Sequence, residues 1–115
     1  MIAVIFEAVP AEGQMKVYLD IAAGLRLELE KIKGFISIER FESLYTPGKV
    51  LSLSFWENEE AVAQWRNTEL HRNAQMMGRK SVFDDYRIRV ASVERDYTRY
   101  DRYGAPADSR VVHDR

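Results

Sequence analysis

The sequence predicts an α+β fold of order β-α-β-β-α-β, a ferredoxin-like split βαβ unit with a four-stranded antiparallel sheet. Three observations carry that expectation. Two stretches with helical spacing of apolar residues alternate with four stretches that favour strands. The turn residues fall between them, at Pro10 to Gly13, Gly34 and Pro47-Gly48. The 115 residues are about right for one domain.

The first strand, Ile2 to Val9, is apolar on both faces: Ile2, Val4 and Phe6 on one, Ala3, Ile5 and Val9 on the other. Such a strand needs cover on both sides. Glu7 alone breaks the pattern, and a buried carboxylate there needs a partner. Met15, Tyr18, Ala22, Leu25, Leu29 and Ile32 then recur at spacings of three and four, the stripe of an amphipathic helix. Gly34 suits its end. Phe35 to Leu44 reads as the second strand, with Ile36 and Ile38 on one face and Phe35 and Phe41 on the other. Tyr45 to Lys49 is a hairpin turn, in which Pro47 sets φ and Gly48 is able to take positive φ.

Val50 to Trp56 is the third strand, and Asn58 is placed to cap a second helix running to about Arg72. Glu57, Glu59 and Glu60 are solvated acids at its positive end. Met76 to Lys80 is a looser connection, and Tyr86 to Tyr97 is the last strand. From Thr98 onward periodicity stops, so residues 1–97 are read as the domain and 98–115 as an irregular tail. Two helices cover only one face of a four-stranded sheet. A second copy of the sheet is the simplest cover for the other, and a homodimer is expected.

Composition narrows the function. A net charge of −1 gives no pull toward nucleic acid or an anionic membrane. The absence of cysteine removes disulfides, thiolate metal sites and cysteine nucleophiles. No apolar run is long enough to span a membrane, and the N-terminus lacks the basic and cleavage regions of a signal peptide, so a cytoplasmic location is expected. Nucleotide-binding glycine motifs and the His-Glu-x-x-His motif are missing, and with two histidines no metal site is expected.

Trp65 is either the aromatic anchor of the second helix or a wall of a flat cavity. His71 is the histidine expected in the folded part, and an imidazole with its ordinary pKa of about 6.5 is the side chain best suited to accept a proton at neutral pH. Its bland alternative is a surface histidine near a helix end. Arg66, Arg72, Arg79, Arg87 and Arg89 are candidate anion binders, and Arg87 and Arg89 stand out because they share a strand face with Ala91 and Val93.

A strand ending in Phe55-Trp56, acidic residues, Ala61-x-x-x-Trp65 and then His71 resembles the antibiotic biosynthesis monooxygenase family. Gly34-Phe35 and the closing strand fit the same template, so the resemblance covers roughly residues 1–97. It implies a dimeric α/β barrel and cofactor-free oxygenation of a small phenolic or quinone-like substrate by dioxygen. In that reading His71 is the catalytic proton acceptor, and Trp65, Arg87, Arg89 and Glu7 bind substrate. The alternatives are a non-catalytic dimer that binds a small ligand or serves a stress response, or a haem-degrading relative or one that binds haem through His71. Haem degradation, another activity in the family, needs an Asn on the first strand and a ligating His nine or ten residues past the tryptophan. This sequence has Glu7 on the first strand, and Ala74 and Gln75 at those later positions.

Trp65 and His71 are six residues apart, or about 240° around an ideal helix. Sharing one cavity therefore requires a break between them, and the weak helix formers Asn67 and Thr68 are where it is expected.

Overall fold

The computed structural model describes the backbone of residues 1–77 and 82–113, and the side chains of 1–68 and 82–110. Its elements are β1 (Ile2–Pro10), α1 (Met15–Leu29), β2 (Phe35–Glu42), β3 (Val50–Trp56), α2 (Glu59–Met77), β4 (Phe83–Ser92) and α3 (Ala107–His113). The strands form one antiparallel sheet in the order β2-β3-β1-β4. That is the expected ferredoxin-like α+β arrangement, with the apolar β1 and β3 at the centre and β2 and β4 at the edges.

The pairing register sorts side chains by face, because residues directly opposite in an antiparallel pair project to the same side. Ile2, Val4, Phe6 and Ala8 pair with Trp56, Ser54, Ser52 and Val50 of β3, and with Ser92, Val90, Ile88 and Tyr86 of β4. These residues share the face of the sheet on which the helices lie. On α1 the buried residues are Tyr18, Ala22, Leu25 and Leu29, members of the stripe seen in the sequence. On α2, Ala61, Val62 and Trp65 are buried. One core cluster joins Ile2, Val4, Leu29, Ile38, Trp56, Val62 and Trp65. A second joins Tyr18, Ala22, Val50 and Val82, with Phe6 and Phe83 packed against it.

Several local features differ from the expected pattern. The last strand is Phe83–Ser92, earlier at both ends than the expected Tyr86 to Tyr97. In β2 the register skips between Phe35 and Ser37, a bulge that shifts the alternation by one. Phe35 therefore joins Ile38 on the core side, its ring 5.1 Å from that of Trp56, while Ile36 is exposed. Within the expected tail, a turn and the short helix α3 are formed, opened by Pro106, whose fixed φ suits a helix start.

The second helix is capped as expected. Asn58 Oδ1 accepts the Ala61 N–H at 2.9 Å. Gly34 has φ +94°, and a Cβ there would lie 2.9 Å from Ala61 Cβ, so only glycine allows this close approach. Its carbonyl accepts the Glu57 N–H at 2.7 Å, tying the start of β2 to the β3–α2 turn. At the other end of the β2–β3 hairpin, Gly48 takes φ +79° after Pro47, and Lys49 N–H donates to Thr46 carbonyl.

The expected break in α2 does not occur: the helix is continuous from Glu59 to Met77. Thr68 satisfies its hydroxyl within the helix by donating to the Gln64 carbonyl at 3.2 Å, so it competes for no backbone group outside the ladder. The loose connection expected at Met76 to Lys80 begins inside this helix for Met76 and Met77, and its remainder lies outside the described residues.

Candidate functional site

Trp56 and Trp65 build the base of the site. Trp56, fully buried at the end of β3, donates its indole N–H to Ser54 Oγ at 2.9 Å. That bond satisfies the one polar atom of a ring otherwise surrounded by apolar groups. Trp65, 8% exposed, projects from α2 with its ring 6.2 Å from that of Trp56. Trp65 is thus an anchor of the helix on the sheet, through the same cluster as Ile2 and Val4.

The sheet is not covered all the way across. Ile2 and Val4 are buried, but their β4 partners Ser92 and Val90 are exposed, and so are Ile88 and Tyr86 on the same face. Val90 is 51% and Ile88 46% accessible. An apolar shelf therefore runs along β4, one strand beyond Ile2 and Val4, which share a core cluster with the buried tryptophans. At its far end stands an aromatic group: Phe6 lies 5.7 Å from Phe83 and 5.9 Å from Tyr86, and Phe83 lies 5.3 Å from Tyr18. The Tyr18 hydroxyl accepts from Arg40 Nε at 3.4 Å. This arrangement can hold a flat apolar molecule against the sheet with aromatic edges at one end.

The residues singled out from the sequence divide between two faces. Trp65 is on the helix side. Glu7, Arg87 and Arg89 are on the opposite face of the sheet, where Glu7 is directly across from Arg87. Glu7 Oε2 accepts from Arg89 Nη1 at 3.1 Å, and its other oxygen lies 3.7 Å from Lys49 Nζ. The partner that an acid in an apolar strand requires is thus supplied by β4 and by the β2–β3 turn. A ligand held within one protomer on the shelf does not reach this cluster. Around it the same face presents Ala3, Ile5, Leu51, Leu53 and Phe55, with Phe41 exposed.

His71 lies on the continuous α2, and its side chain is outside the described residues, as are those of Arg72 and Arg79. Without the break, positions 65 and 71 are on different sides of the helix, about 240° apart. Glu57, Glu59 and Glu60 are exposed, as solvated acids at a helix start should be. Among the described residues no group of three or more His, Cys, Asp or Glu is placed to hold a metal ion, and no helix is long and apolar enough to cross a membrane.

Reasoning from sequence favoured the arginine face of β4 and passed over Tyr86, Ile88 and Val90. The sequence signal was only their alternation with the arginines; their pairing with Ala8, Phe6 and Val4 comes from the register of the sheet.

The two-layer geometry with its uncovered shelf can be set beside known proteins. A family model described as antibiotic biosynthesis monooxygenase matches residues 1–76. The chain belongs to that family. Over 93 residues it is 50% identical to the jasmonate monooxygenase ABM of Pyricularia oryzae, a match that covers 81% of this chain and 43% of that protein. The chain thus spans less than half the length of this relative. In structure it is similar to a Mycobacterium tuberculosis protein, with a TM-score of 0.70 at 13% identity, covering 84% of this chain and 98% of the other. It is also similar to the cofactor-independent oxygenase SnoaB of Streptomyces nogalater, with a TM-score of 0.66 at 7% identity over 83% of this chain and 94% of that one.

Proposed function

We propose that this antibiotic biosynthesis monooxygenase family member oxidises a small phenolic or quinone-like compound with dioxygen, without a cofactor, and works as a homodimer. The observation that carries the reading is the apolar shelf of Ile88 and Val90, bounded by the aromatic group of Phe6, Phe83 and Tyr86. A planar substrate laid there buries one face on the sheet and meets ring edges at its end. Such burial favours flat aromatic molecules over polar ones of similar size.

The chemistry asks little of the protein. A ring CH2 set between two aryl rings and conjugated through them to a carbonyl loses a proton to give an electron-rich anion, which reacts with O2. The CH2 becomes a carbonyl and one water leaves, so the four electrons gained by O2 are those the substrate loses. The protein binds the substrate, excludes water and accepts the proton. His71 is the proposed acceptor and Trp65 the wall at the base of the shelf. On the unbroken helix the two positions are about 240° apart, which counts against His71 serving the cavity that Trp65 lines. The homodimer is supported by the opposite sheet face, where Ile5, Leu51, Leu53 and Phe55 are only partly covered. There Glu7, Arg87 and Arg89 lie away from the shelf, so their proposed contact with substrate depends on the paired assembly.

Oxygen uptake with a panel of anthrones and hydroquinols tests the reading. Turnover by the native chain and a loss of roughly a hundredfold or more in His71→Ala are expected, in line with removal of a general base. Unchanged turnover in His71→Ala removes the histidine from the mechanism and leaves the shelf. Binding without oxygen uptake across the panel makes the protein a ligand-binding dimer instead.

A further inference from the structure

The sheet face opposite the helices is charged unevenly. The pairing registers define one row across it from edge to edge: Glu39, Leu53, Ile5 and Arg89. The next row toward the β2–β3 turn is Phe41, Leu51, Glu7 and Arg87. The β2 edge thus carries an acid and the β4 edge two bases, with Leu53, Leu51 and Ile5 between them. Glu39 and Arg87 are exposed, and among the described residues neither makes an ion pair. Asp85, an acid at the start of β4 on this face, turns its Oδ1 to the Tyr86 N–H at 2.9 Å.

Beyond the Phe41 row the chain turns. Ser43 Oγ accepts the N–H groups of Tyr45 and Thr46 at 3.2 and 3.0 Å, and Ser43 N–H donates to the Lys49 carbonyl at 2.9 Å. The turn so fixed holds out Leu44 and Tyr45, each 97% exposed. Large apolar side chains grouped in water mark a contact surface. The turn lies at the Tyr86 end of the sheet, because Glu42 pairs with Val50, Val50 with Ala8 and Ala8 with Tyr86.

We propose that a second copy of the chain packs on this face with the two-fold axis along the strands, and that its Leu44 and Tyr45 complete the aromatic end of the shelf. This rests on the homodimer of the proposed function and fixes its geometry. A sheet laid on its own copy with strands aligned is related to it by an axis along the strands or across them. With the axis across, β2 lies over β2 and β4 over β4, so Glu39 meets Glu39 and arginines meet arginines. With the axis along, β2 lies over the partner's β4 and β3 over its β1. Glu39 then meets the partner's Arg87 and Arg89, and Leu53 meets its Ile5. Charge complementarity selects this second arrangement, since like charges set against each other in an interface are strongly disfavoured. An axis along the strands also keeps corresponding ends of the two sheets together. The partner's turn therefore comes to the Tyr86 end of β4, at the edge of the sheet, where Phe6 and Phe83 stand with Tyr86.

The chain has no cysteine, so an introduced thiol reports its own neighbours. Ser37 and Ala91 are exposed and stand at opposite ends of the row through Phe55 and Ala3. A short bismaleimide added to co-expressed Ser37→Cys and Ala91→Cys chains should give a product of twice the chain mass. Ser37→Cys alone should give none, because its two thiols are three strand spacings, about 14 Å, apart across the sheets and on different layers. A Ser37→Cys chain that links to itself, or a mixture that fails to link while the native chain sediments as a dimer, overturns the geometry and leaves the homodimer. A native chain that sediments as a monomer overturns both and leaves the face to a different partner. Tyr45→Ser should keep the dimer and weaken anthrone binding roughly threefold to tenfold, the loss of one aromatic contact. Native affinity for anthrone in Tyr45→Ser overturns the part of the turn in the shelf.

Discussion

At the scale of single residues, the fold depends on a few places where no other side chain fits. Gly34 combines a positive φ with a backbone pressed against Ala61. Gly34→Ala is expected to destabilise the protein by about 1–3 kcal/mol, the usual cost of overpacking with added backbone strain, measured as a lower urea midpoint at unchanged slope. Val90 is the opposite case. It is half exposed on the shelf, so Val90→Glu should leave the urea midpoint within about 0.5 kcal/mol of native stability while abolishing binding of a flat aromatic ligand. A Val90→Glu protein that binds such ligands at native affinity removes β4 from the site. Trp65 and Val90 differ in how legible they are in one dimension. The tryptophan was conspicuous by its chemistry. The valine was one more apolar residue in an alternating strand, and its exposure depends on how far the helices extend across the sheet.

At the scale of elements, the helices and strands follow from spacing and caps, and their exceptions follow from local hydrogen bonding. Asn58 caps α2 with its side-chain oxygen, and the acids Glu59 and Glu60 sit in the first turn. Asn58→Ala should cost about 1 kcal/mol, and Asn58→Asp should retain the native urea midpoint, because an aspartate caps equally well and adds favourable charge. Equal stability of the alanine and native proteins would show that the cap bond contributes nothing. Thr68 looked like a place for α2 to break, yet a threonine that returns its hydroxyl to the carbonyl four residues back stays in the helix. The bulge at Ile36 has the reverse lesson. Phe35 and Ile38 both serve the core although they are three apart, because Trp56 offers Phe35 a ring to pack on. Neither effect is encoded in the spacing of the residues concerned.

At the scale of the molecule, one layer of helices lies on one side of the sheet, and the other side is left with apolar residues around a charged cluster. Leu53 is at the centre of that second face, between Ile5 of β1 and Glu39 of β2. Sedimentation at micromolar concentration is expected to give about twice the chain mass of 13.4 kDa. Leu53→Asp should give the single chain mass, since a buried unpaired carboxylate in the interface costs more than the contacts it leaves. A native chain that sediments as a monomer removes the homodimer, and a dimer indifferent to Leu53→Asp places the interface elsewhere. The Glu7, Arg89 and Lys49 cluster would then be a solvated surface network of little energetic weight.

By itself the sequence determined the order of elements, the two apolar faces of β1, the stripe of α1, the cap at Asn58, the turn at Pro47-Gly48 and the kinship with one family. Each of these is periodic or local, decided by residues within a turn or two of each other, and so is legible in one dimension. Only the tertiary structure decided that α2 runs on through Thr68 and that Trp65 packs on Trp56. It also decided that the arginines of β4 face away from Trp65 and that Ile88 and Val90 lie uncovered. The last two share one physical reason. Which side of a strand meets the helices depends on register against strands far away in the chain, and a shift of one residue exchanges the two faces of every side chain on it.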